Sequence, residues 1–408
     1  MRFLKRAIAQ LFRALLLVLC SGLAIGARLL HRVRPPRRIE PAGTRRILVI
    51  RLDLLGDVIN SMPAVAALRD RYPNAHITML TLPYTAAIPR QCGYVDEVLT
   101  LDTNMVRSPR NLFRAGTYRA FAAVVLRLRR ERFDLCLSLY GWVAAVFAFA
   151  SGARQRIGYQ GEGFPYLFTD PVPGRRFDRR RHEVQWDLAL AKAVGASGDF
   201  RAPALRAPAP AVTRVAARLG ALGISSHDIV VGIHGGAING SAKRWPAMHW
   251  AALADRLIGE YGLKVVLTGS PAERPISADI HARMAHVPIV LTGETDLDEL
   301  LAVLARCDLV LSGDSGPLHM AVALGRPTVS IYGPTDPAIY GPAPRSGQAA
   351  VVIRRGLKCS PCFSLKSHVG AECPHGQPSC MLDVRVGQVL AAALGVLRLH
   401  PGSAVEAT

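Results

Sequence analysis

Two doubly wound α/β domains are predicted by three observations. Strand-like and helix-like stretches alternate from about Arg45, a Pro/Ala-rich segment from Gly198 to Pro210 interrupts them, and the alternation restarts near Asp228. The length agrees, because 408 residues exceed the roughly 250 to 300 at which a single core stops growing. Half the residues are hydrophobic and 20% are charged, which excludes wholesale disorder and a coiled-coil rod.

The chain opens with a basic, apolar leader, residues 1–44. Its uninterrupted weakly polar or apolar run, Ala14 to Ala27, lies between Arg13 and Arg28 and is short of the about 20 residues a spanning helix needs. Flanking arginines and Pro35-Pro36 fit a helix lying in the interface of an anionic membrane. A signal peptide with a small-residue site at Ala24-Ile25-Gly26, a short span, and a plain packed helix are the other readings. The interfacial reading predicts a cytoplasmic protein attached peripherally to the inner membrane.

The first domain, residues 45–197, begins with RILVIR (46–51), a β-branched run of a buried parallel strand, and a helical period from Val58 to Arg71 with Pro63 in its first turns. HITMLTL (76–82), VDEVLTL (95–101) and FDLCLSL (133–139) continue the strands. Residues 198–212 form the linker. The second domain, residues 213–395, carries DIVVGIH (228–234), LKVVLTG (263–269), VPIVLTG (287–293), DLVLSG (308–313) and PTVSIYG (327–333). A ligand is expected in the cleft at the carboxyl ends of such strands.

Charge divides the chain unevenly. Of 50 Lys+Arg and 30 Asp+Glu, residues 1–204 hold 32 and 15 and residues 205–408 hold 18 and 15, so the formal +20 splits into +17 and +3. Such an excess implies an anionic partner for the first half. Residues 107–132 could simply coat a helix with arginine. In RRFDRRR (175–181), five arginines follow a Pro-Gly turn, and Arg175, Arg176, Arg179 and Arg180 suit bidentate contacts to phosphate or carboxylate on an acceptor. Nucleic acid is not the expected partner, because aromatic residues make up only 6% of the chain.

Neither a Walker A sequence nor GxGxxG follows the first strand. Three other loops carry chemistry. LDLLGD (52–57) ends in Gly56-Asp57 where a helix begins, and Asp57 reads either as a helix N-cap or first-turn carboxylate or as a functional one. HGGAINGSAKRWP (234–246) sets Lys243 and Arg244 before Pro246, and SGDSGPLHMAVALGRP (312–327) sets Gly313, Ser315 and Gly316 before Pro317. Both aim backbone N–H groups and a helix dipole outward, as holding phosphate requires.

Taken in order, RILVIRLDLLGDVINSMPA, KRWP, DLVLSGDSGPLHMAVALGRPTVSIYGPTDP and CSPC…C…CM resemble glycosyltransferase family 9, which includes the ADP-heptose:lipopolysaccharide heptosyltransferases. The resemblance runs from about Arg45 to about Leu390. It implies a GT-B fold of two Rossmann-like domains, a nucleotide-sugar donor such as ADP-heptose held by the second, an anionic glycolipid acceptor held by the first, and inverting transfer without a metal or other cofactor. Carried over, the catalytic carboxylate falls on Asp57 and the phosphate-binding lysine on Lys243. Donor contacts fall on Asp314, Ser315, Gly316 and His319, with Glu273 of GSPAER as a ribose contact. In-line displacement needs a base for the acceptor hydroxyl and charge stabilisation on the leaving diphosphate. Asp57 supplies the first; Lys243 and the amide-rich loop supply the second. Asp296-x-Asp298 in TDLDELLAVLARCD reads as N-terminal helix charge. A nucleotide-sugar epimerase, which needs no acceptor, and a basic nucleic-acid-binding protein are the alternative functions.

Cys20, Cys92, Cys136 and Cys307 lie in or beside apolar runs and read as small buried hydrophobes. Cys359, Cys362, Cys373 and Cys380 have the spacing C-x2-C-x10-C-x6-C in a Pro/Gly-rich loop, residues 359–380, with His368 and His375 between. In a reducing compartment this predicts a structural Zn2+, with free thiols and disulfides as the other readings.

Overall fold

The computed structural model describes residues 43–103, 115–162, 164–176, 181–238, 240–363 and 372–398, with Gly22 and Gly26. The leader, apart from its last two residues and those glycines, lies outside them, as do Arg179, Arg180, Cys20 and His368. The chain divides into two compact units between Phe200 and Arg201.

Unit 1 is built on a six-stranded parallel sheet in the order β3-β2-β1-β4-β5-β6. Its strands are β1 (Arg46–Arg51), β2 (His76–Thr81), β3 (Glu97–Thr100), β4 (Leu135–Ser138), β5 (Gln155–Tyr159) and β6 (Asp170–Val172). Ile47, Leu48, Val49 and Ile50 are all buried, as expected of a central parallel strand covered on both faces. The register pairs Ile47 with Ile77 on one side and Leu135 on the other. Helix α1 (Leu55–Arg71) is buried continuously from Val58 to Leu68, so Pro63 sits inside a helix that packing, rather than propensity, holds together. The other long helices are α2 (Ala115–Glu131), α3 (Gly141–Ala150) and α4 (Glu183–Ala193). The fifth and sixth strands escape the apolar-run reading. QRIGY is half polar, with Gly158 pressed against the Phe168 ring, and DPV is a three-residue edge. A side chain at Gly158 would collide with that ring.

Unit 2 has its own six-stranded parallel sheet, β12-β11-β10-β7-β8-β9. It comprises β7 (Val230–His234), β8 (Lys264–Leu267), β9 (Ile289–Val290), β10 (Leu309–Gly313), β11 (Thr328–Ile331) and β12 (Ala350–Ile353). Its longer helices are α5 (Ala209–Ala221), α6 (Ala247–Gly259), α7 (Arg274–His281), α8 (Leu297–Arg306), α9 (Gly316–Ala323) and α10 (Val386–Leu397). Helix α5 starts inside the stretch read as linker, after Pro208. The apolar run 287–293 yields only a two-residue strand, and β12 was not anticipated. A core around Trp245, Trp250, Leu253 and Leu257 joins α6 to β7, β8 and α10; truncating Trp250 to Ala would cost about 3 to 5 kcal/mol. Asp296 caps α8 in a reciprocal box with Glu299, the helix-terminal role expected of that acidic pair. Among the described residues no helix is long and apolar enough to cross a membrane.

Candidate active site

In unit 1 the end of β1 delivers Arg51 and the following loop delivers Asp53 and Asp57. Asp57 is the third residue of α1; the N-cap position is Leu54, with no side-chain cap bond. Its side chain keeps 24% of its surface exposed, and Oδ1 lies 3.5 Å from the Arg51 guanidinium. Arg51 is wholly buried and donates to both oxygens of Asp187, at 3.3 and 3.4 Å, from α4. It also lies 3.4 Å from Asp53 and 3.6 Å from Glu183. Ser61 donates to Asp187 at 2.7 Å, tying α1 to the same group. Burial together with the Asp53 and Glu183 carboxylates pushes the Asp57 pKa well above the ordinary carboxylate value, against the pull of Arg51 and Arg176. A carboxylate so placed binds a proton more readily than a solvated one, which suits a general base.

Arg176 is the clearest departure from expectation. Read as an acceptor-facing arginine, it is buried: its guanidinium bonds Glu183 and Asp187, donates to the Leu139 carbonyl at 2.9 Å, and meets Glu162 at 3.3 Å. With the side chain buried and both terminal nitrogens bonded to this chain's own oxygens, it does not face an acceptor. Tyr140 carries both guanidiniums against its ring, each 5.4 Å from the centroid. Burial, against the pull of Arg176 and Arg51, raises Glu162 to about 7. Arg175, by contrast, is exposed. Arg51, Glu162, Glu183 and Asp187 were not identified from sequence, because the bonds joining them span up to 136 positions.

In unit 2 the corresponding strand ends are rich in glycine. Gly236 has no room for a side chain because the Glu273 carboxylate occupies that space, and a Cβ at Gly313 would meet the Lys243 carbonyl at 3.3 Å. The loops after β7 and β10 therefore approach closely through their backbones. Lys243 Nζ donates to Asp314 at 2.8 Å, with both side chains mostly buried. Ser315 caps α9, its Oγ accepting from Leu318 N and lying 2.7 Å from Ser312 Oγ. Gly316 opens that helix, and His319 is buried one turn on. Glu273 accepts from the Ser270 backbone and hydroxyl at 2.8 Å and faces His234 Nε2 at 3.6 Å. Burial holds the His234 pKa below the ordinary imidazole value. Lys243, Asp314, a capped helix start and free-standing glycine backbone can together hold a phosphorylated anion.

Of the cysteine thiols, Cys92, Cys136 and Cys307 are buried and Cys359 is exposed. Burial, with the neighbouring thiols of Cys362, Cys373 and Cys359, pushes Cys380 up to about 11. Among the described residues no three His, Cys, Asp or Glu side chains come together as metal ligands.

The sequence pattern of "Glycosyltransferase family 9 (heptosyltransferase)" matches residues 121–371, more than half the chain. The chain belongs to glycosyltransferase family 9. Its two parallel-sheet units are those of the GT-B fold. Among its relatives, lipopolysaccharide heptosyltransferase 2 of Escherichia coli K12 is 28% identical over 312 residues, covering 73% of this chain and 85% of that one. A family 9 glycosyltransferase structure from Veillonella parvula superposes with a TM-score of 0.74 at 25% identity, covering 87% of this chain and 97% of that one. The structure of Escherichia coli ADP-heptose lipopolysaccharide heptosyltransferase II gives 0.68 at 26% identity, covering 86% and 98%. This family 9 enzyme is therefore a glycosyltransferase, which favours transfer over the epimerase and nucleic-acid readings.

Proposed function

We propose that this glycosyltransferase moves heptose from ADP-heptose onto a lipopolysaccharide-core or related anionic glycolipid, with inversion and without a catalytic metal. The donor and acceptor are those named for the heptosyltransferases it resembles. The single observation that supports the mechanism is the Asp57 environment, a partly exposed carboxylate whose proton affinity burial and its neighbours raise. Asp57 takes the proton from the acceptor hydroxyl as its oxygen bonds to the anomeric carbon, and the bond from that carbon to the diphosphate oxygen breaks to release ADP. Lys243, the Ser315 and Gly316 amides and the α9 dipole meet the charge on the departing diphosphate, so the step needs no cation of its own. Asp314 holds Lys243, and Glu273 faces the ribose, with His319 behind the loop. Exposed Arg175, with Arg179 and Arg180, meets acceptor phosphate, and the leader holds the enzyme peripherally to the inner-membrane surface.

Mass spectrometry of products from ADP-heptose, with and without a lipopolysaccharide-core acceptor, tests this reading. Release of ADP that depends on acceptor, with one heptose added to the lipid, is expected. An altered sugar without acceptor would establish an epimerase, and turnover of a different nucleotide sugar alone would overturn the donor.

A further inference from the structure

Lys243 has a second neighbour besides Asp314. Its Nζ lies 4.3 Å from the centroid of the Phe363 ring, within the distance at which a ring face attracts an ammonium. Phe363 belongs to the cysteine-rich segment, CSPCF, which the transfer chemistry above does not use. That segment is pinned to the turn after β11. The backbone N–H groups of Cys362 and Phe363 both donate to the Pro334 carbonyl, at 2.9 and 2.8 Å, and the Ser360 hydroxyl donates to the Gly333 carbonyl. Cys380 and Met381 close over Gly333 from the other side, so tightly that a side chain at Gly333 would strike both. Tyr340 meets the Phe363 ring edge-on at 6.2 Å, fixing its plane. The backbone bonds fix the residue, the Tyr340 ring packs against its side chain, and the ring presents its face to the lysine.

We propose that Phe363 is a positioning residue for Lys243, and that the cysteine-rich segment serves the donor site by holding that ring. The inference rests on the reading of Lys243 as the diphosphate contact. An ammonium has three donors. Asp314 takes one, while the ring face stabilises the charge without consuming another, leaving the remaining donors for diphosphate oxygens. A side chain of similar bulk without a quadrupole fills the space but leaves the ammonium free to collapse onto Asp314 or to swing into solvent. The pairing is also dry, because Lys243 keeps only 11% of its side-chain surface, and desolvation strengthens the attraction.

Two readouts on the full-length enzyme test the proposal. The first needs no donor. In the wild type, NMR of the protein labelled at lysine should show the Lys243 Cε protons shifted upfield by the ring, a shift lost in Phe363→Leu and kept in Phe363→Tyr. The second is a double-substitution cycle read by ADP affinity and by KM for ADP-heptose. Phe363→Leu should raise both by about two- to thirtyfold, and should have no further effect in the Lys243→Ala background. Phe363→Tyr should restore the wild-type values. Absence of the upfield shift in the wild type overturns the geometry. An equal effect of Phe363→Leu with and without Lys243 shows that the ring acts by packing and overturns the proposal. If Lys243→Ala itself leaves ADP affinity unchanged, the diphosphate reading of Lys243 fails, and the positioning inference fails with it.

Discussion

The two sheets share one strand order and differ in what they place at its centre. Read from the other edge, β9-β8-β7-β10-β11-β12 in unit 2 repeats β3-β2-β1-β4-β5-β6 in unit 1. At the end of β1 the chain gathers charged side chains: Asp53, Asp57, Glu162, Glu183 and Asp187 against Arg51 and Arg176. At the ends of β7 and β10 it places glycine backbone, a capped helix start and one lysine–carboxylate pair. Topology fixes where a site forms, and the loops decide what it can do. The first arrangement raises proton affinity; the second holds an anion. Net charge gave no hint of this, since the half carrying +17 encloses a nest in which carboxylates outnumber guanidiniums.

The largest effect expected to break this comparison is on turnover. Asp57→Asn should transfer sugar at least about a hundredfold more slowly, because general-base catalysis contributes roughly 10² to 10⁴. Its melting temperature should hold or rise at neutral pH, since Asp57 caps nothing and its ionised form is disfavoured by burial and by Asp53. Retention of more than about a tenth of wild-type turnover would place the base elsewhere. Next in size, Lys243→Ala should raise KM for the donor by about ten- to a hundredfold, as expected for loss of a charge-assisted contact. A third experiment sharpens the nest itself. With Asp57 raised above the ordinary carboxylate value, kcat/KM should fall as pH drops through that raised value, and Arg51→Gln should move this acid limb upward, because Arg51 is the cation pulling Asp57 down. A limb that stays put would show the two groups uncoupled. The smallest effect concerns stability. Glu162, raised to about 7, binds its proton more tightly folded than unfolded, so its contribution is present at low pH and is lost as pH rises through about 7. Glu162→Gln should flatten the fall in stability between about pH 4.5 and 7, a change of no more than about 3 kcal/mol by urea titration.

Much of the fold was legible because buried parallel strands are continuous apolar runs, as RILVIR and DLVLSG show. β5 and β6 were not, since one is half polar and the other is three residues at an edge carrying Pro171. The donor-side loops were legible through local glycine and proline punctuation. The nest was not, because Asp187 reaches Ser61 across 126 positions and Arg51 across 136. Arg176 misled for the same reason: in RRFDRRR it is one arginine among five, and only the fold shows that its partners are Glu162, Glu183 and Asp187.

The division of chemistry between the two strand ends is tested most directly by titrating ADP into Asp57→Asn and Lys243→Ala side by side in a calorimeter. The account predicts that Asp57→Asn binds ADP within about twofold of wild type, while Lys243→Ala binds at least about tenfold more weakly. Equal weakening in both, or normal binding by Lys243→Ala, would contradict it.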